Sequence, residues 1–136
     1  MATINAALTI NSGDLTGDVL SLSTSTNLTE AGTATGLSQT TGLTRRTYSS
    51  ALTAQTAILT ASEFTADQGH KVYLKNLSTT AGEFVTVFVN AQEIGRLYAG
   101  DFLFIPWAAD SGDDIDIKTS DANMSIEYMA FVQTFA

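Results

Sequence analysis

From Glu63 onward the apolar positions of this chain gather into short runs divided by turn residues. Lys71-Val-Tyr-Leu-Lys75 is the first, closed by Asn76 and the polar stretch Ser78 to Gly82. Phe84-Val-Thr-Val-Phe-Val89 is apolar at both parities, which predicts a central strand covered on both faces. Asn90 to Glu93 turns the chain into Ile94-Gly-Arg-Leu-Tyr98, and Ala99-Gly100-Asp101 turns it again into Phe102-Leu-Phe-Ile105, ended by Pro106-Trp107. Ile115 and Ile117 alternate with Asp114, Asp116 and Lys118. In the last run Met124, Ile126, Tyr128 and Val132 share one parity, with Ser125, Glu127 and Gln133 on the other. Period-2 alternation between closely spaced turns predicts antiparallel strands. Thr53 to Phe64 is the one helix candidate, and its β-branched and polar residues are poor helix formers.

The segment before this is different in kind. Leu8 and Ile10 flank Thr9, and Leu20 and Leu22 alternate with serines, so short strands are expected between turns at Asn11-Ser12-Gly13-Asp14, Thr16-Gly17-Asp18 and Ala31-Gly32. Ala31 to Gly42 has almost nothing to bury and reads as a long loop or arm. The pattern divides the chain into an extended Gly/Ser/Thr-rich arm, residues 1–62, whose short strands contribute to assembly, and a compact antiparallel β core, residues 63–136. The fold class expected is all-β, a β-sandwich or jelly-roll-like domain with an extended N-terminal arm.

Composition sharpens this picture. At 136 residues the chain suits one core, and charged residues make up only 15% of it. Ser and Thr, roughly a quarter of the residues, keep the surface wet instead, and Thr suits a pleated sheet. The net charge of −8 and six scattered Lys and Arg argue against nucleic-acid binding, which needs basic surface to displace counterions. No Cys is present, so disulfides and thiolate metal sites are excluded, and packing and oligomerisation must supply the stability. Neither a basic, apolar leader nor a membrane-length apolar run occurs, so the chain reads as soluble, made in the cytosol and not exported by a cleaved signal. Three glycosylation triplets, at Asn27, Asn76 and Asn123, are of a kind that recurs by chance in a Thr-rich chain.

Candidate chemistry is sparse. His70 lies where a loop enters a strand and is expected to be exposed; no Gly-x-Ser-x-Gly elbow and no Cys accompany it as nucleophile. Asp110, Asp113, Asp114 and Asp116 form the densest carboxylate cluster, with three or four of the oxygens calcium prefers, but without EF-hand spacing; a solvated turn is the favoured reading. No cofactor, resident metal or catalytic set is expected, and the chain reads as non-enzymatic. Most aromatics of the second half are expected in the core. Trp107 is a candidate interface anchor, with a core position preferred. Arg45 and Arg46 form the only doubled basic pair, suited to a partner's carboxylates or to solvent. Leu8, Ile10, Leu20 and Leu22 have little around them to be buried by, which makes them interface candidates between chains.

The runs Lys71-Val-Tyr-Leu-Lys-Asn-Leu-Ser78, Phe84-Val-Thr-Val-Phe-Val89, Ile94-Gly-Arg-Leu-Tyr-Ala-Gly-Asp-Phe-Leu-Phe-Ile-Pro-Trp107, Asp114-Ile-Asp-Ile-Lys118 and Ser125-Ile-Glu-Tyr-Met129 together resemble small virion structural proteins of tailed bacteriophages, especially phages of cyanobacteria and other marine bacteria. The resemblance covers roughly residues 64 to 132, and its motifs are structural, with no chemical signature. It implies a capsid decoration or cement protein that is made in the host cytoplasm and resides in the virion. Its partners would be itself, as a homo-oligomer and most simply a homotrimer, and the major capsid protein or another virion protein, with no nucleic acid and no membrane. A tail, neck or fibre-associated protein is the alternative within the class. A carbohydrate-binding β-sandwich is the alternative outside it.

Overall fold

The alternation read from the sequence becomes eleven strands in the computed structural model, which describes residues 4–14, 20–28 and 39–133. In chain order they are β1 (Ile4–Ser12), β2 (Leu20–Leu28), β3 (Gln39–Thr40), β4 (Thr44–Tyr48), β5 (Thr56–Leu59), β6 (His70–Asn76), β7 (Phe84–Val89), β8 (Gln92–Tyr98), β9 (Phe102–Trp107), β10 (Ile115–Thr119) and β11 (Met124–Val132). A single 3-10 turn, Ala61–Glu63, follows β5. No α-helix occurs among the described residues, and every strand pair is antiparallel.

The strands form two sheets that face each other and a separate hairpin. One sheet runs β5-β10-β7-β8. The other runs β9-β6-β11, with β4 and β3 paired in succession along the remaining edge of β11. Because side chains alternate across each strand, Val72 and Leu74 of β6 and Ile126 and Ala130 of β11 face Val85 and Val87 of β7 and Ile115 and Ile117 of β10. All of these are buried, and full burial of a Val, Leu or Ile side chain contributes about 1.5–3 kcal/mol. This apolar layer joins the two sheets into a β-sandwich.

The flanks of the sandwich are fixed by polar groups turned inward. Asn76 ends β6 fully buried, its Nδ2 donating to Leu97 O of the opposite sheet (3.0 Å) and its Oδ1 accepting from Ser78 N (3.0 Å). Its backbone N–H reaches Asp101 O, and its carbonyl accepts from Gly100 N, so one residue ties together three segments. His70 lies at the other end of β6 and is also fully buried, which corrects its expected place in an exposed loop. Parity explains the correction, since His70 shares the inward face with Val72, Leu74 and Asn76. The ring has a partner at each nitrogen: Nε2 donates to Thr65 O (2.8 Å), and Nδ1 accepts from Gln133 N (3.1 Å). These bonds define one neutral tautomer, packed near Phe64 and Trp107.

The structure moves two boundaries drawn from the sequence. β3 and β4 pair with β11 and β5 with β10, and Ile58 and Leu59 are buried, so the sandwich recruits strands from 39 onward instead of beginning near 63. The helix candidate at Thr53 to Phe64 is the strand β5 followed by the 3-10 turn; Thr56, Ile58 and their neighbours gain the β10 edge, which outweighs a weak helical propensity. The loop expected from Ala31 to Gly42 falls mainly outside the described residues, while Gln39 and Thr40 pair with Val132 and Phe131.

Candidate functional site: a charge-free apolar hairpin and its cleft

β1 and β2 pair in continuous register from Ile4↔Leu28 to Ser12↔Leu20. Residues directly opposite share a face, so the register sorts the hairpin into two unlike sides. Ile4, Ala6, Leu8 and Ile10 stand with Leu20, Leu22 and Leu28 on one side, accompanied by Thr24 and Thr26. Asn5, Thr9, Asn11, Ser21, Ser23 and Asn27 stand on the other, where Asn5 donates to Asn27 and Ser21 to Asn11. Neither strand carries a charged residue, although the whole chain has a net charge of −8.

Only the root of the apolar side is covered. Leu28 is buried with Phe131, and Ile4, Ala6, Tyr73 and Met129 pack around the pair. This contact lies on the outer face of the β9-β6-β11 sheet, away from the sandwich interior. Beyond it the hairpin and the sheet diverge into an open cleft of about 670 Å³, walled by Ile4, Ala6, Leu8 and Leu28 on one side and by Tyr73, Phe102, Phe104 and Phe131 on the other. Leu8, Ile10, Leu20 and Leu22 remain 40–46% exposed, and Phe102 and Phe104 55% and 39%. The structure therefore brings together the four aliphatic residues singled out from the sequence. It adds an aromatic wall that sequence reasoning assigned to the core.

The signal for that wall was present in β9, where Phe102 and Phe104 alternate with Leu103 and Ile105. A strand apolar at both parities needs a cover on both faces, and β9 lies at a sheet edge with its outer face open. Phe104 meets Phe131 edge-on with centroids 5.9 Å apart, which fixes the ring that forms the cleft floor.

Electrostatics keep the cleft wall neutral while charge gathers beside it. Tyr73 Oη donates to Glu127 Oε1 (2.9 Å), and burial, followed by the Glu127 carboxylate, raises the phenol above its usual pKa. Glu127 Oε2 accepts from Arg45 Nε at 2.6 Å, and this bond, followed by the one from Tyr73, holds the carboxyl below the ordinary range. Arg45 thus finds its carboxylate within its own chain. Its neighbour Arg46 is exposed, and its pKa is raised by the Tyr48 hydroxyl beside it and then by Tyr128. Lys71 donates to Gln133 Oε1 (2.9 Å) and to Gly69 O, and partial burial of its ammonium lowers its pKa.

The remaining sequence candidates lie elsewhere. Trp107, read as a candidate interface anchor, is 4% exposed: its indole Nε1 donates to Asp113 O (2.7 Å), and its ring meets Phe64 edge-on at 4.9 Å. The anchor reading is corrected by this burial, which follows from the inward parity Trp107 shares with Leu103 and Ile105. The acidic residues disperse. Asp110 Oδ1 accepts from Asp67 N and Asp114 Oδ1 from Ala61 N, so each caps the backbone of a neighbouring segment, while Asp116 stands on the outward face of β10. Burial, followed by the Asp114 charge, raises the Asp116 pKa. Among the described residues no three His, Cys, Asp or Glu side chains converge to hold a metal ion.

No protein-family model, curated protein or solved structure matches this chain, so its own residues carry the functional argument.

Proposed function

We propose that this protein is a virion structural protein of a tailed phage, acting as a capsid decoration protein that binds the outer shell as a homotrimer and stabilises the assembled lattice. The observation that carries the reading is the hairpin. Its apolar side stands off a closed sandwich with four aliphatic residues at 40–46% exposure and no charge on either strand. Soluble monomers rarely leave a contiguous apolar surface of more than a few hundred Å² open to water, and such patches mark assembly sites. The resemblance of the runs between Lys71 and Met129 to small phage virion proteins supports placing that assembly in a virion.

The stabilising effect follows from mass action. A ligand that binds the assembled lattice and not the free subunits shifts the equilibrium toward assembly, and attachment through several copies raises the effective affinity without new contacts. An acidic exterior, with a net charge of −8 per chain, keeps such a protein soluble at high copy number. Quantitative mass spectrometry and cryo-electron microscopy of purified source particles test the reading. The expected result is a fixed stoichiometric ratio to the shell subunit and density of this fold on the outer capsid surface. Absence from the particle overturns it, and rings of six or twelve copies at the tail would move it to the tail or neck.

A further inference from the structure

We infer that the cleft between the hairpin and the outer face of the β9-β6-β11 sheet receives the hairpin tip of a second copy of this chain, Ile10, Leu20 and Leu22 of one copy covering Phe102 and Phe104 of the next. The inference deepens the assembly reading above by naming the contact, and it has its own test.

Three observations select a second copy as the occupant. The first is charge. Two copies at −8 each repel one another, and close contact between them is least opposed where the surface carries no charge. The hairpin strands are such a surface, while a basic partner would be recognised through acidic groups they lack.

The second is continuity with a contact already made. At its root the hairpin seats Ile4 and Leu28 on Phe131 and Tyr73. The tip repeats the same aliphatic side chains, and the cleft wall continues the same aromatic row with Phe102 and Phe104. Within one copy these surfaces diverge. Inserting a neighbour's tip between them extends the root contact using the same chemistry.

The third is size. A strand of nine residues is about 30 Å long, so the hairpin is long enough to cross a subunit boundary. A hairpin two strands wide inserted into a cleft buries on the order of 1,000 Å² counted on both partners, near the lower bound for a specific interface. The contact is head-to-tail, because the tip of one copy meets the cleft of another. Such contacts close into rings when the rotation permits, and a ring of three gives every tip a cleft and every cleft a tip.

The test pairs two variants in the full chain. Leu20→Thr with Leu22→Thr removes two of the tip's three apolar side chains and substitutes β-branched residues that suit a strand, and Phe102→Thr with Phe104→Thr removes the two aromatic rings the tip would cover. Sedimentation velocity across a concentration series is expected to show a trimer for the natural sequence. Each variant alone is expected to weaken self-association at least about tenfold, with the thermal unfolding of the sandwich retained. Mixing the two is expected to restore one productive contact, tip of the cleft variant into cleft of the tip variant, and so to yield a heterodimer. A second measurement uses the absence of cysteine: Leu22→Cys mixed with Phe102→Cys, each in a separate chain, is expected to form a disulfide-linked dimer on oxidation. A monomeric natural protein, or self-association unchanged by both variants, overturns the inference. So does a mixture that stays monomeric, because an intact tip and an intact cleft would then not suffice for contact, and so does a cleft variant that associates as well as the natural protein, which would mean that tips meet tips. Loss of shell binding by the tip variant while the natural protein stays monomeric assigns the hairpin to the shell protein and also overturns it. All of these outcomes leave the particle measurement standing as the separate test of virion identity.

Discussion

Glu127 and Asp116 are both outward-facing carboxyls on strands, yet their surroundings push them in opposite directions. Arg45 and Tyr73 depress Glu127, so its stabilising contribution is present above the ordinary carboxylate range and fades as pH falls through the depressed folded value. Asp116 is raised by burial and by Asp114, so its ionised form opposes folding at neutral pH, and that opposition disappears as acid protonates it. Urea unfolding at neutral pH is therefore expected to find Glu127→Gln less stable than the natural sequence and Asp116→Asn more stable, both differences shrinking toward acid. The same direction of change in both variants would contradict the assignment. Asn76 is the more demanding case, because its buried side-chain amide donates to Leu97 O and Glu83 O and accepts from Ser78 N. Asn76→Ala is expected to lower unfolding free energy by about 2–3 kcal/mol, since it leaves buried backbone groups unanswered. A loss below about 0.5 kcal/mol would show that water replaces the amide. Parity places both Asn76 and His70 on the face of Val72 and Leu74, a signal set aside when His70 was expected in an exposed loop and Asn76 as the end of the strand. What the sequence did not reveal was their partners, which come from residues distant in the chain, such as Leu97 and Gln133.

At the level of elements, the turns explain why some strands were readable to the residue. β7 is bounded by turn residues on both sides and matches its sequence run from Phe84 to Val89. The Tyr98 to Asp101 turn places Gly100 at φ +84°, where a side chain is strained, and Asp101 Oδ2 accepts from Tyr98 N. The β7-β8 connection is less well matched. Its two residues, Asn90 and Ala91, both have positive φ (50° and 58°), as a type I′ hairpin requires. Asn tolerates that conformation and Ala does not, so Ala91→Gly is expected to stabilise the protein by about 0.5–1 kcal/mol in chemical denaturation. No gain would mean that the unfolded-state entropy of glycine offsets the relieved strain. β5 was misread because its four residues have no period of their own; they become a strand through pairing with β10, a contact that local sequence does not encode. β9 shows the converse, since Phe102 and Phe104 fell under the expectation that most aromatics lie in the core, yet its run is apolar at both parities and they stand on the open face.

Across the whole molecule, a closed sandwich and an open hairpin divide the work of folding and of contact. The apolar layer between the sheets draws on residues from Ile58 to Ala130 and none from the hairpin. Deleting residues 1–30 is expected to leave the sandwich folded, with a melting temperature within a few degrees of the full chain and a more exposed Phe131 surface. Collapse of the near-ultraviolet circular dichroism on deletion would mean that the hairpin is needed for folding. The all-β class and the exposed hairpin leucines were legible because alternation and charge depletion are local properties. The cleft was not, because it forms between strands that lie far apart in the chain, β1 and β2 on one wall and β6, β9 and β11 on the other.

The burial of Trp107 gives the molecule an internal optical probe. It is the chain's one tryptophan, enclosed beneath the β9-β6 pair, with its indole N–H bonded to Asp113 O and its ring against Phe64. Its emission is expected to be blue-shifted in the folded state and to move red only when the sandwich opens. Hairpin docking should leave that signal still. Fluorescence and light scattering, recorded on one sample, would then follow unfolding and assembly as two independent coordinates.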